Sequence, residues 1–415
     1  MSKPKGYLDP RMRGFRDRVD VDEFLAALDA RLRPLPVETV PLAEAHSRVL
    51  AEEIIAPVAV PAFDRAAMDG YALRAEETFG AGSYNPLELA VIGEALPGRP
   101  YAGMVAPGTA IRIMTGAAIP SGADAVLPVE QAQEASGRLR VLEPISPGRH
   151  VGRRGEDIAV GHAVLAAGRR LRPQDVGLLA SMGVGQVRVI HRPCVRILVT
   201  GDELLPAGST PQGCQIVDSN SPMLAALIQR DGGIVELPPI LPDRRELLRD
   251  AMLNPGADVL LISGGSSVGQ EDHAPSLLGE FGELVVHGVA LRPASPAGFG
   301  VLGSTLVFLM PGNPVSCLCA YDLFAGRVVR QLGGRPAAWP YRNITVPLAE
   351  KVSSAVGRVD YVRVRLTEQG AEPLAVSGAS ILSTTTVADG FFLVPRDLEG
   401  YPPGEPVLVH LYDLP

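Results

Sequence analysis

The feature that most constrains the fold is the alternation of apolar runs and helical stretches between residues 193 and 332. Apolar runs at 195–200 (VRILVT), 234–240 (IVELPPI) and 258–263 (DVLLIS) are separated by helical patterns at 221–231 and 243–253. Strands that alternate with helices form right-handed crossovers and a parallel sheet. The sequence therefore predicts an α/β domain over residues 186–332 with a parallel-rich sheet, and a last helix that ends near Leu332.

The rest of the chain divides into segments of different character, because 415 residues are too many for one hydrophobic core. Residues 56–149 predict a β-rich domain, with short β-like runs at 87–92, 110–114 and 125–128 between glycine and proline turns. Helical spacing at 20–32 and 41–54, and the strand-like run 163–168, predict a discontinuous domain made of residues 1–55 and 150–185. Residues 333–415 alternate in short runs and predict a C-terminal β-domain.

Composition excludes several classes of protein. A formal net charge of −8 argues against non-specific nucleic-acid binding, which needs a basic face, and the locally basic run 11–18 is expected to be a solvated arm. No apolar stretch follows Met1, and no window reaches the roughly 18 apolar residues of a membrane span, so we expect a cytoplasmic protein without membrane contact. The four cysteines form no CxxC pair and are expected to be buried, reduced thiols.

A glycine-rich turn follows the third apolar run directly. It contains Gly264, Gly265, Ser266, Ser267 and Gly269, and Asp272 lies just beyond it. Parallel sheets bind ligands at the carboxyl ends of their strands, and glycines let backbone N–H groups form a concave nest for an anion. The alternative is a purely structural turn between strand and helix.

Two more turns are expected at the same edge of the sheet. One is TGDEL, with Asp202 and Glu203, and the other contains Pro311, Gly312, Asn313 and Pro314, with Ser316 in the first turn of the next helix. Three such turns with carboxylates nearby favour a site for phosphate and Mg²⁺, because a divalent cation bridges carboxylates to an anion. The candidate ligands are Asp202, Glu203, Asp218, Asp243 and Asp272, and for each of them helix capping or simple solvation is the alternative.

These motifs resemble those of a known family. GGSSVGQED, TGDEL and PGNPVS are similar to the molybdopterin-binding fold, which adenylyltransferases and competence-type amidases share. Four further segments resemble the molybdopterin molybdenumtransferase family in particular: PAFDRAAMDGYA (61–72), IRIMTGAAIPSGADAVLPVE (111–130), GRHVGRRGEDI (148–158) and IVDSN (216–220). The resemblance covers roughly residues 20–400 in the expected order, and an amidase lacks support because amidases do not need the MDGYA and RRGEDI segments.

The resemblance implies a reaction and a site. Molybdate is inserted into adenylylated molybdopterin, and AMP is released with the help of Mg²⁺. Asp202, Glu203 and Asp272 would hold the metal; Asp69, Thr115, Glu203 and Asp272 would be catalytic; Arg154, with Arg153 as its alternative, and Asp157 would bind substrate. From the residues alone, a plain turn at Asp69 and a structural ion pair at Arg154 stay open.

The resemblance also implies an architecture. The family has four domains: a discontinuous linker domain, a β-rich domain, the α/β domain and a C-terminal β-barrel. It forms a homodimer, and the active site lies between the β-rich domain of one subunit and the α/β domain of the other. An adenylyltransferase and a molybdoenzyme are candidate partners.

One turn departs from the family pattern. Where the family carries K/R-P-G-K-P, this chain has Arg292, Pro293, Ala294, Ser295 and Pro296, so the second lysine is replaced by Ser295. The stretch 377–390 is also altered. Both Arg292 and Ser295 are still expected to contact substrate. The departure leaves open a paralogue that binds the pterin as a carrier or scaffold, or an enzyme that uses another oxyanion.

Overall fold

The structure is a computed structural model that describes residues 18–264, 272–375 and 378–412. The chain forms two compact units, one made of residues 1–38 and 190–415 and the other of residues 39–189. Within the described residues, no helix is both long and apolar enough to cross a bilayer.

A six-stranded sheet forms the centre of the first unit. Its order is Ile234–Glu236, Cys194–Val199, Val259–Ser263, Thr305–Met310, Gly298–Leu302 and Glu283–His287. The first four strands are parallel and the last two are antiparallel. The predicted parallel-rich sheet is confirmed, and the carboxyl ends of its three central strands meet at one edge.

Helices cover both faces of this sheet because its strands alternate with period two. Ile197 and Phe308 belong to one core cluster, together with Phe24 and Leu224, whereas Leu198 belongs to the other. The helices of this unit are Val21–Asp29, Asn220–Asp231, Arg245–Leu253, Ala274–Phe281, Pro314–Ala320, the π-helical turn Tyr321–Ala325, Gly326–Leu332 and Ser383–Thr386.

A second six-stranded sheet occupies the C-terminal part of the first unit. Its order is Leu291–Arg292, Val359–Thr367, Gly390–Val394, Pro406–Leu411 and Arg342–Pro347, with Gly370–Ala375 also paired to Val359–Thr367. Two short pairs accompany the sheets: Leu204–Leu205 with Ile216–Val217, and Val352–Ser353 with Gly400–Tyr401. The strand Leu291–Arg292 leads directly from the α/β part of the unit into this sheet.

The second unit contains its own six-stranded sheet and a separate small core. The sheet order is Ala125–Pro128, Gly70–Leu73, Thr109–Ile113, Leu87–Ala95, Arg138–Val141 and Ala132–Ala135. The remaining elements are the strands Val37–Pro41, Ile54–Ile55, Arg65–Ala66, Val151–Gly152, Ala163–Leu165 and Gln186–Ile190, the helix Pro173–Ser181, and 3-10 turns at Leu42–Glu44, Ala75–Thr78 and Val129–Gln131. Residues 40–56 and 158–189 share one core, so segments far apart in sequence pack together.

Two local predictions are wrong, for identifiable reasons. The predicted helix at 41–54 is absent: Ser47 and Leu50 donate their backbone N–H groups to Leu171 and Arg169 instead of to residues four positions earlier. The predicted strand at 234–240 ends at Glu236, before Pro238 and Pro239, which have no N–H to donate.

The four cysteines are all free, as predicted. Cys317 and Cys319 are fully buried, and burial raises the pKa of both thiols. Cys194 is half-buried, but Cys214 is exposed, so the prediction of burial is wrong for that residue. Cys214 lies in the irregular loop between Leu205 and Ile216, which offers no core to cover it.

Candidate functional site

A cavity of about 790 Å³ opens at the carboxyl edge of the α/β sheet. The three turns predicted to converge there all line it: the turn at 200–204, Gly264, and the turn at 311–314. The predicted site residues in its lining are Glu203, Asp218, Gly264, Arg292, Ser295, Pro311, Gly312, Asn313, Pro314 and Ser316. Its volume is typical of a site for a small molecule.

Gly264 is required by the shape of this edge. Its φ is +90°, and a Cβ there would lie 2.2 Å from the carbonyl oxygen of Thr200. Any side chain would therefore push apart the ends of two neighbouring strands. Gly265, Ser266, Ser267 and Gly269, the other predicted residues of this turn, lie outside the described residues.

The predicted carboxylates divide into different environments. Asp218 is buried and caps the helix Asn220–Asp231: it accepts the backbone N–H groups of Asn220 and Ser221 at 2.9 and 3.1 Å. Asp202 and Asp243 accept each other's backbone N–H groups, at 3.4 and 3.3 Å. Asp218 is therefore a helix-capping residue, which was the alternative that the sequence left open.

The predicted metal ligands Glu203 and Asp272 lie in different surroundings. Across residues 18–264, 272–375 and 378–412, no three His, Cys, Asp or Glu side chains lie close enough to form a metal cage. Glu203 is exposed and lines the cavity, and Asp272 is half-buried just after the glycine-rich turn. Mg²⁺ commonly binds one or two carboxylates together with substrate phosphates, so Glu203 suits that mode of binding.

The 292–296 turn presents less free charge than its sequence suggests. The Arg292 guanidinium forms an ion pair with the buried carboxylate of Asp360. The Ser295 hydroxyl donates to the carbonyl oxygen of Leu291 at 2.9 Å. Ala294 has a φ of +105°, in the region that favours glycine, and this is the position where the family carries glycine.

Two polar side chains in the lining are not among the predicted site residues. Asn220 donates from Nδ2 to Ser263 Oγ and to the Gly312 carbonyl, both at 2.8 Å. Its Oδ1 and the Thr200 Oγ1 are buried, and neither has a hydrogen-bond partner among the described residues. Thr200 and Asn220 therefore add polar groups to the wall of the cavity. The IVDSN segment was the available sequence signal for Asn220.

The C-terminal part of the chain also contributes to the cavity. Residues 378–380 line it, and the Ala379 carbonyl accepts the backbone N–H of Val315 at 2.9 Å. This bond satisfies one of the free N–H groups at the start of the helix Pro314–Ala320. The sequence did not indicate this contact, because residues 315 and 379 are far apart along the chain.

The second unit has a polar cluster of its own. Thr115 donates both its backbone N–H and its hydroxyl to Asp69 Oδ1, each at 2.7 Å. The backbone N–H of Thr115, followed by its hydroxyl, lowers the pKa of Asp69, so this carboxylate is ionised at neutral pH. Both side chains are exposed.

The third motif of this unit lies beside the same cluster. The Arg154 backbone N–H donates to Asp64 at 2.8 Å and the Arg153 guanidinium at 3.0 Å, and the pKa of Asp64 is lowered mainly by the Arg154 N–H and then by Arg153. Backbone bonds of Ala66 to Gly116 and of Ala67 to His150 join the three motif segments. The ion pair thus belongs to Arg153, and Arg154 and Asp157 have exposed side chains.

Comparison with known families first defines the class. The model of the MoeA N-terminal region (domain I and II) matches residues 19–183, a probable molybdopterin binding domain matches residues 196–331, and the MoeA C-terminal region (domain IV) matches residues 345–412. The chain is therefore a multidomain protein of the MoeA type, and most residues that line the cavity lie in the region 196–331.

Individual relatives then define the family. The molybdopterin molybdenumtransferase 2 of Mycobacterium tuberculosis is 34% identical over 91% of this chain and 96% of its own length. The molybdopterin molybdenumtransferase of Haemophilus influenzae is 32% identical over 92% and 95%. The crystal structure of a molybdopterin biosynthesis MoeA protein from Pyrococcus horikoshii matches with a TM-score of 0.81, 33% identity, and coverage of 96% of this chain and 100% of that one. The chain belongs to the molybdopterin molybdenumtransferase family, and it is a transferase.

Proposed function

We propose that this protein inserts molybdenum into adenylylated molybdopterin and releases AMP with the help of Mg²⁺. The observation that carries the proposal is the cavity at the carboxyl edge of the sheet, which is lined by the turn at 200–204, by Gly264 and by the turn at 311–314. The glycine turns can bind the phosphate groups of such a substrate with their backbone N–H groups. The relatives are named molybdopterin molybdenumtransferases, which supports a pterin substrate and the transfer of the metal.

The residues of the cavity have separate roles in this proposal. Asn220 and Thr200 would orient the ligand by hydrogen bonds, and the turn at 311–314 would bind its anionic part. Glu203 and Asp272, and Asp202 beside them, would hold Mg²⁺ together with phosphate oxygens of the substrate. When bound, this ion would stabilise the negative charge that builds up as the phosphate bond is hydrolysed.

We propose further that the chain acts as a cytoplasmic homodimer. Asp69, Thr115, Arg154 and Asp157 would contact the substrate held by the α/β unit of the other copy, as the family resemblance implies. The ionised Asp69 and its bonded Thr115 offer a fixed acceptor and a hydroxyl for that role. The same proposal gives the chain the family's linker domain and C-terminal barrel. It also includes an adenylyltransferase and a molybdoenzyme as partners.

The test is a single-turnover reaction. Purified protein, adenylylated molybdopterin and molybdate are mixed with or without Mg²⁺, and AMP and pterin-bound molybdenum are measured together. The proposal expects both products, with AMP release lost when Mg²⁺ is removed. Tight binding of the pterin with neither product would instead identify a carrier.

A second candidate rests on the 292–296 turn. Ser295 stands where the family has lysine, its hydroxyl is bonded within the turn, and Arg292 is paired with Asp360. This arrangement favours a paralogue that uses another oxyanion or binds the cofactor without metal insertion. The same reaction with tungstate in place of molybdate distinguishes a paralogue that uses another oxyanion from one that binds the cofactor without metal insertion.

A further inference from the structure

The 292–296 turn is built on the C-terminal sheet as well as on the α/β sheet. The strand Leu291–Arg292, which leads into the turn, pairs in parallel with Val359–Thr367. In that register Arg292 lies directly opposite Asp360. Side chains of register partners stand on the same face of a sheet, so the ion pair between Arg292 and Asp360 follows from the pairing.

The carboxylate of Asp360 has three polar neighbours. Asp360 is fully buried, and it accepts hydrogen bonds from the Arg292 guanidinium and, at 2.8 Å, from the Ser354 hydroxyl. The Nε of Arg358 lies 3.2 Å from its other oxygen. Ser354 and Arg358 belong to the C-terminal part of the chain, so the position of the carboxylate does not depend on Arg292 alone.

Arg292 supplies the positive charge of this cavity. It is the single basic side chain in the described part of the lining, and about a quarter of it is exposed, 28%. Residues 265–271, outside the described part of the chain, contain neither lysine nor arginine. Among the described side chains of the lining, an anionic ligand would therefore meet one guanidinium, whose direction decides whether it can pair with the anion.

We infer that Asp360 is a positioning residue for substrate binding: it fixes the Arg292 guanidinium at the rim of the cavity. The inference rests on the proposed function of the cavity. It gives the C-terminal sheet a part in ligand binding through Arg292, without any contact between Asp360 and the ligand. A long, flexible side chain that is fixed beforehand loses less conformational entropy when the ligand binds.

The test is a double-mutant cycle on ligand affinity. The dissociation constant of adenylylated molybdopterin, without molybdate, is measured for wild type, Asp360→Asn, Arg292→Gln and the double variant. We expect each single variant to bind about ten-fold more weakly, the effect of one charge-assisted hydrogen bond. We expect the double variant to bind no more weakly than Arg292→Gln alone, because Asp360 acts through Arg292. Turnover at saturating substrate should change less than affinity does.

Ser354→Ala is the matched control, since it removes a 2.8 Å bond to the same carboxylate and leaves both charges in place. Affinity for the pterin should fall less in Ser354→Ala than in Asp360→Asn, because the ion pair with Arg292 remains. Additive losses in the cycle would assign Asp360 a general structural role and overturn the inference. Unchanged affinity in Arg292→Gln would also overturn the inference, and this result can be obtained even if Asp360→Asn does not fold. Absence of binding by wild type would instead refute the proposed function.

Discussion

Ser295→Lys tests whether the missing lysine of the turn limits the use of molybdate. Ser295 is half-buried in the cavity lining, and its hydroxyl bond to Leu291 is lost in the variant. That loss costs about 1 kcal/mol of folding stability. The new ammonium gains attraction to the anion, on the order of 4 kcal/mol for two unit charges 4 Å apart at a partly buried position. Desolvation and the entropy of the lysine side chain offset about half of this gain.

The remaining gain of about 1.5–2 kcal/mol corresponds to a fall of roughly ten- to thirty-fold in the molybdate requirement. The existing guanidinium leaves room for this gain, because Arg292 shares its charge with Asp360. The lysine should act on the oxyanion, so affinity for the pterin should change little.

The assay is the molybdate concentration for half-maximal insertion, measured at constant ionic strength for wild type and Ser295→Lys. Ser295→Gln is the matched control, because it lengthens the side chain without adding charge, and it should not lower the requirement. An unchanged or higher molybdate requirement in Ser295→Lys would refute the reasoning. It would favour a protein that uses another oxyanion or has given up insertion.

Three further predictions concern the metal, the dimer and the stability of the second unit. Glu203→Gln and Asp272→Asn should each lower Mg²⁺-dependent AMP release by about a hundred-fold or more, the scale of losing a metal ligand; release at the wild-type rate in both would exclude the proposed metal site. Mixed dimers of Thr115→Ala and Glu203→Gln subunits should recover about half of the wild-type activity, because both lesions can fall in one composite site; no recovery after verified subunit exchange would indicate sites within one chain. Asp175→Asn should lower the free energy of unfolding by about 2 kcal/mol at neutral pH, because the buried carboxylate accepts bonds from Arg169 and Arg172. Those bonds lower the pKa of Asp175 below its ordinary 3.8, so this contribution to stability is present above that pH and is lost as the pH falls below it. In urea unfolding, the free energies of unfolding of wild type and Asp175→Asn should converge in acid. A difference that stays constant with pH would contradict the assignment.

Local patterns along the sequence were sufficient for the α/β unit. Apolar strands and amphipathic helices alternate there, and each element is stabilised by a pattern that lies within its own residues. The helix 221–231 was located to within one residue. The three turns meet at one edge because parallel strands all end there, so the place of the cavity also followed from the sequence.

Long-range pairing decided what the sequence could not show. The stretch 41–54 has helical spacing, but its N–H groups bond to residues near 170, and those bonds compete with the local helix. The pairing of Arg292 with Asp360 likewise depends on two segments 68 residues apart meeting in one register. The unpartnered atoms of Thr200 and Asn220 are visible only after packing has buried them. The sequence alone determined the family, the order of the α/β elements and the edge at which the cavity opens; tertiary structure decided which charges are paired at that edge, because charge pairing depends on distances that no local pattern contains.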